Sequence, residues 1–425
     1  MPSATSNLPK GAAVFAQSGG PTTVINASMA GAVLEAKKYS KTFTKLLGAK
    51  NGILGVLEED LFDFKAEDPE DLKQLKHAPA AAAGSCRYKV KSEADYARIV
   101  EVFQAHNIRY FFYAGGNDSM DTADKVSTLA RNKGYELIVM GIPKTIDNDL
   151  GYTDHCPGFG SVAKYNATMV MEAGRDTEAL YTSDTTTVQE VMGRNAGWIA
   201  ASTGLAHRTD EDAPNLIYVP ELPVSLNQVA HDVRACLKRL GHCFIVVYEG
   251  VKNEKGAYLA EIGGSFGQDA FGHTQLGGAG EFLANFIEKE IGAKARRNKP
   301  GTLQRNGAHW ASKTDIGEAW ICGQRAVRHA LCGDSGHMIT LVRKSNKPYQ
   351  CTTGLAKLSN VANSEHFLPR EFLDKSGTRI TKKFREYLEP LVQGEVRVPM
   401  GQDGLPVYPR LKRKLLPKKC GLWKK

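Results

Sequence analysis

The sequence predicts an α/β protein of two lobes, each built on a parallel sheet with helices on both faces. Three observations carry this reading. The chain has 425 residues, too many for one ordinary hydrophobic core and well suited to two. Short apolar, β-rich runs alternate with helical patterns along it. Each such run ends in a glycine or proline loop bearing polar residues, which is where open parallel sheets collect their ligands.

The first strand is read at 12–17, followed by Ser18-Gly19-Gly20-Pro21 and a helical stretch to about position 38. A second run, 109–114 (RYFFYA), leads into Gly115-Gly116-Asn117-Asp118-Ser119 and then the helical pattern DTADKVSTLARNKG. A third, 136–141 (ELIVMG), leads into Pro143-Lys144-Thr145-Ile146-Asp147-Asn148-Asp149. The strand pattern returns at 215–219 and at 243–248, the latter ending in Glu249-Gly250.

A hydrophobic fraction of 42% and a charged fraction of 24% suit a soluble globular chain. No apolar run approaches the length of a bilayer span, so no membrane partner is expected. The first twenty residues lack a charged segment followed by an apolar one, so a cytoplasmic location is expected. The eight cysteines, at 86, 156, 236, 243, 322, 332, 351 and 420, show no zinc or redox spacing and read as reduced packing thiols. Cys86 stands apart because it adjoins Arg87 in a loop assigned to the site. The net charge of +9 is concentrated at one end: residues 410–425 hold eight Lys or Arg and no acid, leaving 9 − 8 = +1 for the rest. A near-neutral body argues against nucleic acid as a partner. Within that tail, Leu415-Leu416 and Leu422-Trp423 are apolar enough to dock.

The loops carry the chemistry. A glycine pair after a strand lets backbone approach an anion, and the helix that follows offers free N–H groups and a positive dipole end. Ser18-Gly19-Gly20 has this form, and Gly115-Gly116-Asn117-Asp118-Ser119 repeats it with an acid and amides attached. Two such cradles fit a substrate with several phosphate groups. In the 143–149 segment, Asp147 and Asp149 alternate beside Lys144, supplying a carboxylate to take a hydroxyl proton and a cation for the oxygens in transfer. Arg194, in Met192-Gly193-Arg194-Asn195-Ala196-Gly197, presents a planar guanidinium suited to phosphate.

With these motifs in this order, the sequence resembles the phosphofructokinase family, and within it the pyrophosphate-dependent branch, from about residue 12 to about residue 340. The resemblance implies two Rossmann-like lobes with the active site in the cleft between them. A phosphoryl-donor lobe would comprise 10–155 and about 307–350, and a fructose 6-phosphate lobe 156–306. A C-terminal extension with the basic tail would fill 351–425. It implies transfer of phosphate to the 1-hydroxyl of fructose 6-phosphate, with Mg²⁺ as cofactor, in a homodimer or homotetramer. Asp147 corresponds to the general base, flanked by Thr145 and Asp149. Met192, Gly193 and Arg194 match the loop that contacts sugar and phosphate, Glu249 the residue that bonds sugar hydroxyls, and Arg305 the arginine that holds the 6-phosphate. Gly19, Gly20 and Arg87 fall at the phosphate-donor positions.

Donor choice rests on Asp118 and Lys144, where ATP-using relatives carry glycine. A carboxylate at 118 would crowd and repel a nucleotide's α-phosphate, and Lys144 offers a cation to the departing phosphate of pyrophosphate. An ATP-dependent enzyme is the rival reading, and a non-catalytic regulatory subunit of the same fold is another; retention of Asp147, Asp149, Lys144 and Arg194 speaks against the latter. The chain departs from the family pattern at Asn117, which replaces an aspartate that helps hold Mg²⁺, at Thr302, which replaces a histidine or tyrosine, and at Thr185, which replaces a subunit-bridging arginine.

Overall fold

A computed structural model describes residues 8–262, 277–362 and 364–423. Two sheets organise the described chain. The first contains β1 (Gly11–Gln17), β2 (Phe43–Ala49), β3 (Leu61–Asp63), β4 (Ile108–Gly115), β5 (Ile138–Pro143), β10 (His337–Asn346) and β11 (Tyr349–Lys357), in the order β11-β10-β5-β4-β1-β2-β3. The second contains β6 (Thr186–Val191), β7 (Leu216–Tyr218), β8 (Cys243–Tyr248) and β9 (Ala295–Asn298), in the order β7-β8-β6-β9. All pairings in the second sheet are parallel; in the first, only β3 and β11 join antiparallel, as its two edges. The expected α/β class with parallel sheets is what forms.

The near-continuous apolar runs have a simple cause. In β4, Tyr110 and Phe112 point to one face and Phe111 and Tyr113 to the other, because successive strand side chains alternate. Ala13 and Phe15 of β1 join the first pair, and Ala12, Val14 and Ala16 the second. Each face carries its own buried cluster, so both must be apolar. The helix Ile25–Ala36, with Met29 and Val33, and the helix Lys313–Leu331, with Cys322 and Val327, cover one face. The helices Glu93–Ala105, with Ile99 and Phe103, and Asn117–Asn132, with Met120 and Val126, cover the other. A third large cluster surrounds the second sheet.

Strand order fixes where ligands gather. In the first sheet the chain leaves β1 toward β2 on one side and later places β4 on the other, so a crevice opens where the β1 and β4 loops diverge. In the second, β6 is flanked by β8 and β9, and its loop and that of β8 lie side by side. The polar loops noted in the sequence sit at these carboxyl ends.

The C-terminal extension packs onto both halves of the molecule. Leu368, Phe372, Phe384 and Leu388 join the cluster under the second sheet. There they meet Trp198, which is 1% exposed and donates from Nε1 to His366 O at 2.8 Å. Residues 411–423 then turn back across the first sheet, with Leu411 in one of its clusters and Leu416 and Trp423 against the other. The expected extension begins at 351, a position that lies inside β11, the edge strand of the first sheet. All eight cysteines are free thiols, five of them buried, and Cys86 is turned inward at 7% exposure. Lys424 and Lys425, counted in the basic tail, lie outside the described residues, as do residues 1–7 of the N-terminal stretch.

Candidate active site

The turn after β1 is shaped for close approach. Gly19 has φ +77°, and a Cβ there would sit 2.9 Å from Lys144 Nζ; a Cβ on Gly20 would sit 2.6 Å from Arg305 Nη1 and 3.8 Å from Arg87 Nη2. Side chains at these two positions would therefore fill the space into which three cations converge. Lys144 Nζ donates to Gly20 O at 3.0 Å, tying the β5 loop to the β1 loop. Ser85 Oγ donates to Gly19 O at 2.6 Å and Gly19 N to Cys86 O at 3.1 Å, which brings the segment bearing Arg87 alongside.

The second cradle lies beside the first. Gly116 precedes the helix Asn117–Asn132, and Lys144 N donates to Gly115 O at 3.1 Å. Asp118, in the first helical turn, is paired with Lys89 Nζ and with Arg194 Nη2, each at 3.4 Å. Asn117 Oδ1 is a buried oxygen without a hydrogen-bond partner among the described residues.

The β5 loop carries the two carboxylates. Thr145 Oγ1 accepts from Asp147 N at 3.0 Å and donates to Asp147 Oδ2 at 3.3 Å, fixing that side chain. Asn148 takes a left-handed φ of +57°, a conformation Asn tolerates, and its Oδ1 accepts from Cys156 N at 2.9 Å. This turn keeps Asp147 and Asp149 close together in a buried setting, Asp149 at 5% exposure.

The electrostatics separate the pair. Burial raises both carboxyls, Asp149 to about 7. Asp147 is pulled down by Arg194, Lys144 and Arg305, whereas Asp149 is pushed up further by Asp147 itself. The neighbouring cations favour the ionised form of Asp147, while Asp147 disfavours a second negative charge on Asp149, so the two carboxyls titrate as a coupled pair. Burial lowers Lys144 to about 8, opposed by Asp147. Burial likewise works against the Arg194 cation, but Asp147, Asp149 and Asp118 outweigh it and raise its pKa.

The second sheet supplies the opposite wall. Arg194 has φ +60°, a left-handed turn that aims the guanidinium back across the cleft to Asp118. Glu249 Oε1 accepts from Gly193 N at 3.2 Å, and burial, with Asp147 and Glu190 nearby, raises Glu249 to about 7. Met192 N donates to Gln304 Oε1 at 3.4 Å, while Gln304 also accepts from Asn166 and donates to Gly301 O. Gln304 thereby locks the Met192 loop to the loop of its neighbour Arg305. Arg305 Nε is buried without a hydrogen-bond partner among the described residues, and burial together with Arg87 lowers its pKa. Burial plus a nearby like charge marks a site built for an anion.

The fold brings together Gly19, Gly20, Arg87, Asn117, Asp118, Lys144, Thr145, Asp147, Asp149, Met192, Gly193, Arg194, Glu249 and Arg305. Sequence reasoning did not single out Gln304, Lys89 or Ser85. Each acts through contacts with distant segments, and only the closeness of Gln304 to Arg305 and of Ser85 and Lys89 to Arg87 along the chain signalled them. Thr302 is exposed beside this loop.

The arrangement joins a polyanion cradle, an ionisable base and three converging cations, the parts needed to move a phosphoryl group onto a hydroxyl. The phosphofructokinase family pattern matches residues 12–330. A pyrophosphate–fructose 6-phosphate 1-phosphotransferase of Xanthomonas campestris is 45% identical over 423 residues, covering 98% of this chain and all of that protein. The protein of the same name from Halomonas elongata is also 45% identical, over 94% of this chain and 96% of its own length. A crystal structure described as the pyrophosphate-dependent phosphofructokinase of Marinobacter aquaeolei superposes with a TM-score of 0.90 at 41% identity, covering 98% of this chain and 100% of that one.

Proposed function

The chain belongs to the phosphofructokinase family, and we propose that it transfers a phosphoryl group reversibly from pyrophosphate to the 1-hydroxyl of fructose 6-phosphate, giving fructose 1,6-bisphosphate and phosphate in glycolysis. The observation that carries the donor assignment is the placement of Asp118 and Lys144. Asp118 puts a carboxylate at the rim of the cradle, where a longer phosphate chain with a nucleoside attached would meet it. Lys144, buried between the glycine turn and Asp147, puts a cation where a departing phosphate needs one.

Each group then has a task. Asp147 accepts the proton of the 1-hydroxyl as that oxygen attacks phosphorus, and Thr145 holds its carboxylate in line. Arg194 and Lys144 stabilise the charge spread over the oxygens in flight, an effect strongest in a site that excludes water. Burial and the neighbouring Asp147 both favour the protonated form of Asp149, which limits the negative charge beside the base. Arg305 takes the 6-phosphate, and Glu249 and Met192 line the sugar. Gly19, Gly20 and Arg87 hold pyrophosphate. In the reverse direction Asp147 returns the proton.

Mg²⁺ fits the donor set: Asn117 Oδ1 is a hard oxygen ligand in want of a partner, and the ion would neutralise charge on pyrophosphate. We assign the first sheet and its helices to the phosphoryl donor and the second sheet to the sugar phosphate, with the enzyme working as a homodimer or homotetramer in the cytoplasm. No described helix is long and apolar enough to cross a membrane.

Initial rates with fructose 6-phosphate and Mg²⁺ test the reading directly. Turnover with pyrophosphate and almost none with ATP at equal concentration is expected. Turnover with ATP alone would overturn the donor assignment, and turnover with neither would overturn the function.

A further inference from the structure

We propose that the C-terminal tail is a positioning strap for the pyrophosphate-binding loop, with Trp423 as the residue through which it acts. The proposal rests on the donor reading above and extends it to residues far from the substrate.

The loop in question, 84–91, has no helix or strand of its own. It carries Arg87, whose Nη2 approaches Gly20, and Lys89, whose Nζ pairs with Asp118. Two long cations on an unsupported loop would place their charges poorly, and binding would be weakened by the cost of ordering them. Tyr88, between them, faces the other way. Its ring meets the indole of Trp423 edge-on, with centroids 5.8 Å apart and planes at 89°. One carboxylate closes the unit: Asp95 Oδ2 accepts from Tyr88 OH at 3.0 Å and Asp95 Oδ1 from Trp423 Nε1 at 3.1 Å. Asp95 is itself fixed on the helix Glu93–Ala105, where its N–H is capped by Ser92 Oγ at 3.0 Å. The middle of the donor loop is thus tied to a helix by the Tyr88–Asp95 bond, and Trp423 buttresses both partners of that bond.

The tail that delivers Trp423 is anchored along its length by buried acids. Glu67 accepts from Lys412 N at 2.7 Å and Arg413 N at 2.8 Å. Leu416 N donates to Leu61 O at 2.8 Å, beside the bridge of Leu415 to Phe62 on β3. Glu59, 1% exposed, accepts from Lys419 N, from Cys420 N at 3.0 Å and from His106. A carboxylate buried this deeply is costly without such donors. Detaching the tail would leave Glu59 short of two of them, so the strap is part of the fold.

The test compares Trp423→Ala, Trp423→Phe and the control Leu422→Ala, whose parent side chain is 89% exposed. KM for pyrophosphate, KM for fructose 6-phosphate, kcat and thermal midpoint are measured on each full-length enzyme. Trp423→Ala should raise KM for pyrophosphate about tenfold, as expected when a charged ligand loses a preorganised contact, with KM for fructose 6-phosphate unchanged. Trp423→Phe keeps the ring but not the bond to Asp95, and should fall between. Leu422→Ala should match the parent. Equal changes in both KM values with a lowered midpoint, or no change in any variant, would overturn the proposal. If the parent uses ATP and not pyrophosphate, the donor reading falls separately and the same comparison is made on KM for ATP.

Discussion

Asp118 Oδ2 and Arg194 Nη2 stand 3.4 Å apart, an ion pair that joins the first turn of a helix on one sheet to the left-handed turn after β6 on the other. On the proposed function, the side chain that refuses a nucleotide is held in place by a side chain that serves the transition state. Donor choice and catalysis are therefore coupled through one contact.

Asp118→Gly combined with Lys144→Gly should lower kcat/KM for pyrophosphate by about 10²-fold or more, the scale of losing one preorganised charge in a water-poor site, and should admit measurable ATP. Asp118→Gly alone should also remove one of the carboxylates that hold Arg194 and so disturb kcat. Parallel kinetics with both donors decide it. An unchanged donor preference in the double variant would leave these two positions without a role in selection.

Asp147→Asn should lower kcat about 10²–10⁴-fold, the range for loss of a general base, while fructose 6-phosphate binding measured by calorimetry stays within a few-fold. The amide keeps the hydrogen bonds to Thr145 and nearly the same volume, so the change isolates the charge. Turnover near the parent level would move the base elsewhere, and Asp149 would be the first alternative.

The alkaline side of the pH profile should report Lys144. Its ammonium is held down to about 8 by burial, so the charged form drains away as pH rises through that value. kcat/KM for pyrophosphate should fall above about pH 8, and Lys144→Arg, which stays protonated, should flatten that limb even with a lower plateau. An identical alkaline limb in Lys144→Arg would assign it to another group.

Much of this was legible in the sequence, and the reasons are specific. Strands such as β1, β4 and β8 announce themselves because both of their faces are buried and every position must be apolar. β6 does not: Thr186, Thr187, Gln189 and Glu190 are buried there, and Glu190 Oε2 accepts from Gly278 N and Gly280 N, nearly ninety positions away. β10 and β11, a hairpin at the sheet edge, were missed because no residue from Val342 to Leu355 is fully buried, so the apolar run is broken there. Many of the residues proposed for the site can be named from the sequence because their chemistry is local, with the proposed base, its flanking threonine and the lysine all within 144–149. Gln304 and the Tyr88–Asp95–Trp423 unit cannot, since each exists only once distant segments meet. In the tail the apolar pairs divide by direction: Leu416 and Trp423 dock, while Leu415 and Leu422 are exposed.

A last expectation concerns stability and comes from a residue no motif marked. His155 is 1% exposed, with Nδ1 2.7 Å from Asp154 Oδ1 and Nε2 2.7 Å from Glu318 Oε2. Arg343 also pairs with Asp154, Tyr349 OH donates to Glu318 Oε1 at 2.6 Å, and Cys351 completes the surroundings. Burial opposes the imidazolium, but the two carboxylates prevail and raise it to about 9. An unfolded histidine titrates near 6.5, so between about 6.5 and 9 the folded protein binds the extra proton. Stability from this pair is therefore fully present below about pH 6.5 and lost as pH rises through about 9. The thermal midpoint of the parent should fall across that window, and that of His155→Gln should fall less, so that the gap between them is widest at pH 6 and narrows toward pH 10. Asp154→Asn, which keeps the ring but removes one carboxylate, should shift the parent's decline to lower pH. A gap independent of pH would mean that His155 is held neutral and contributes by packing alone.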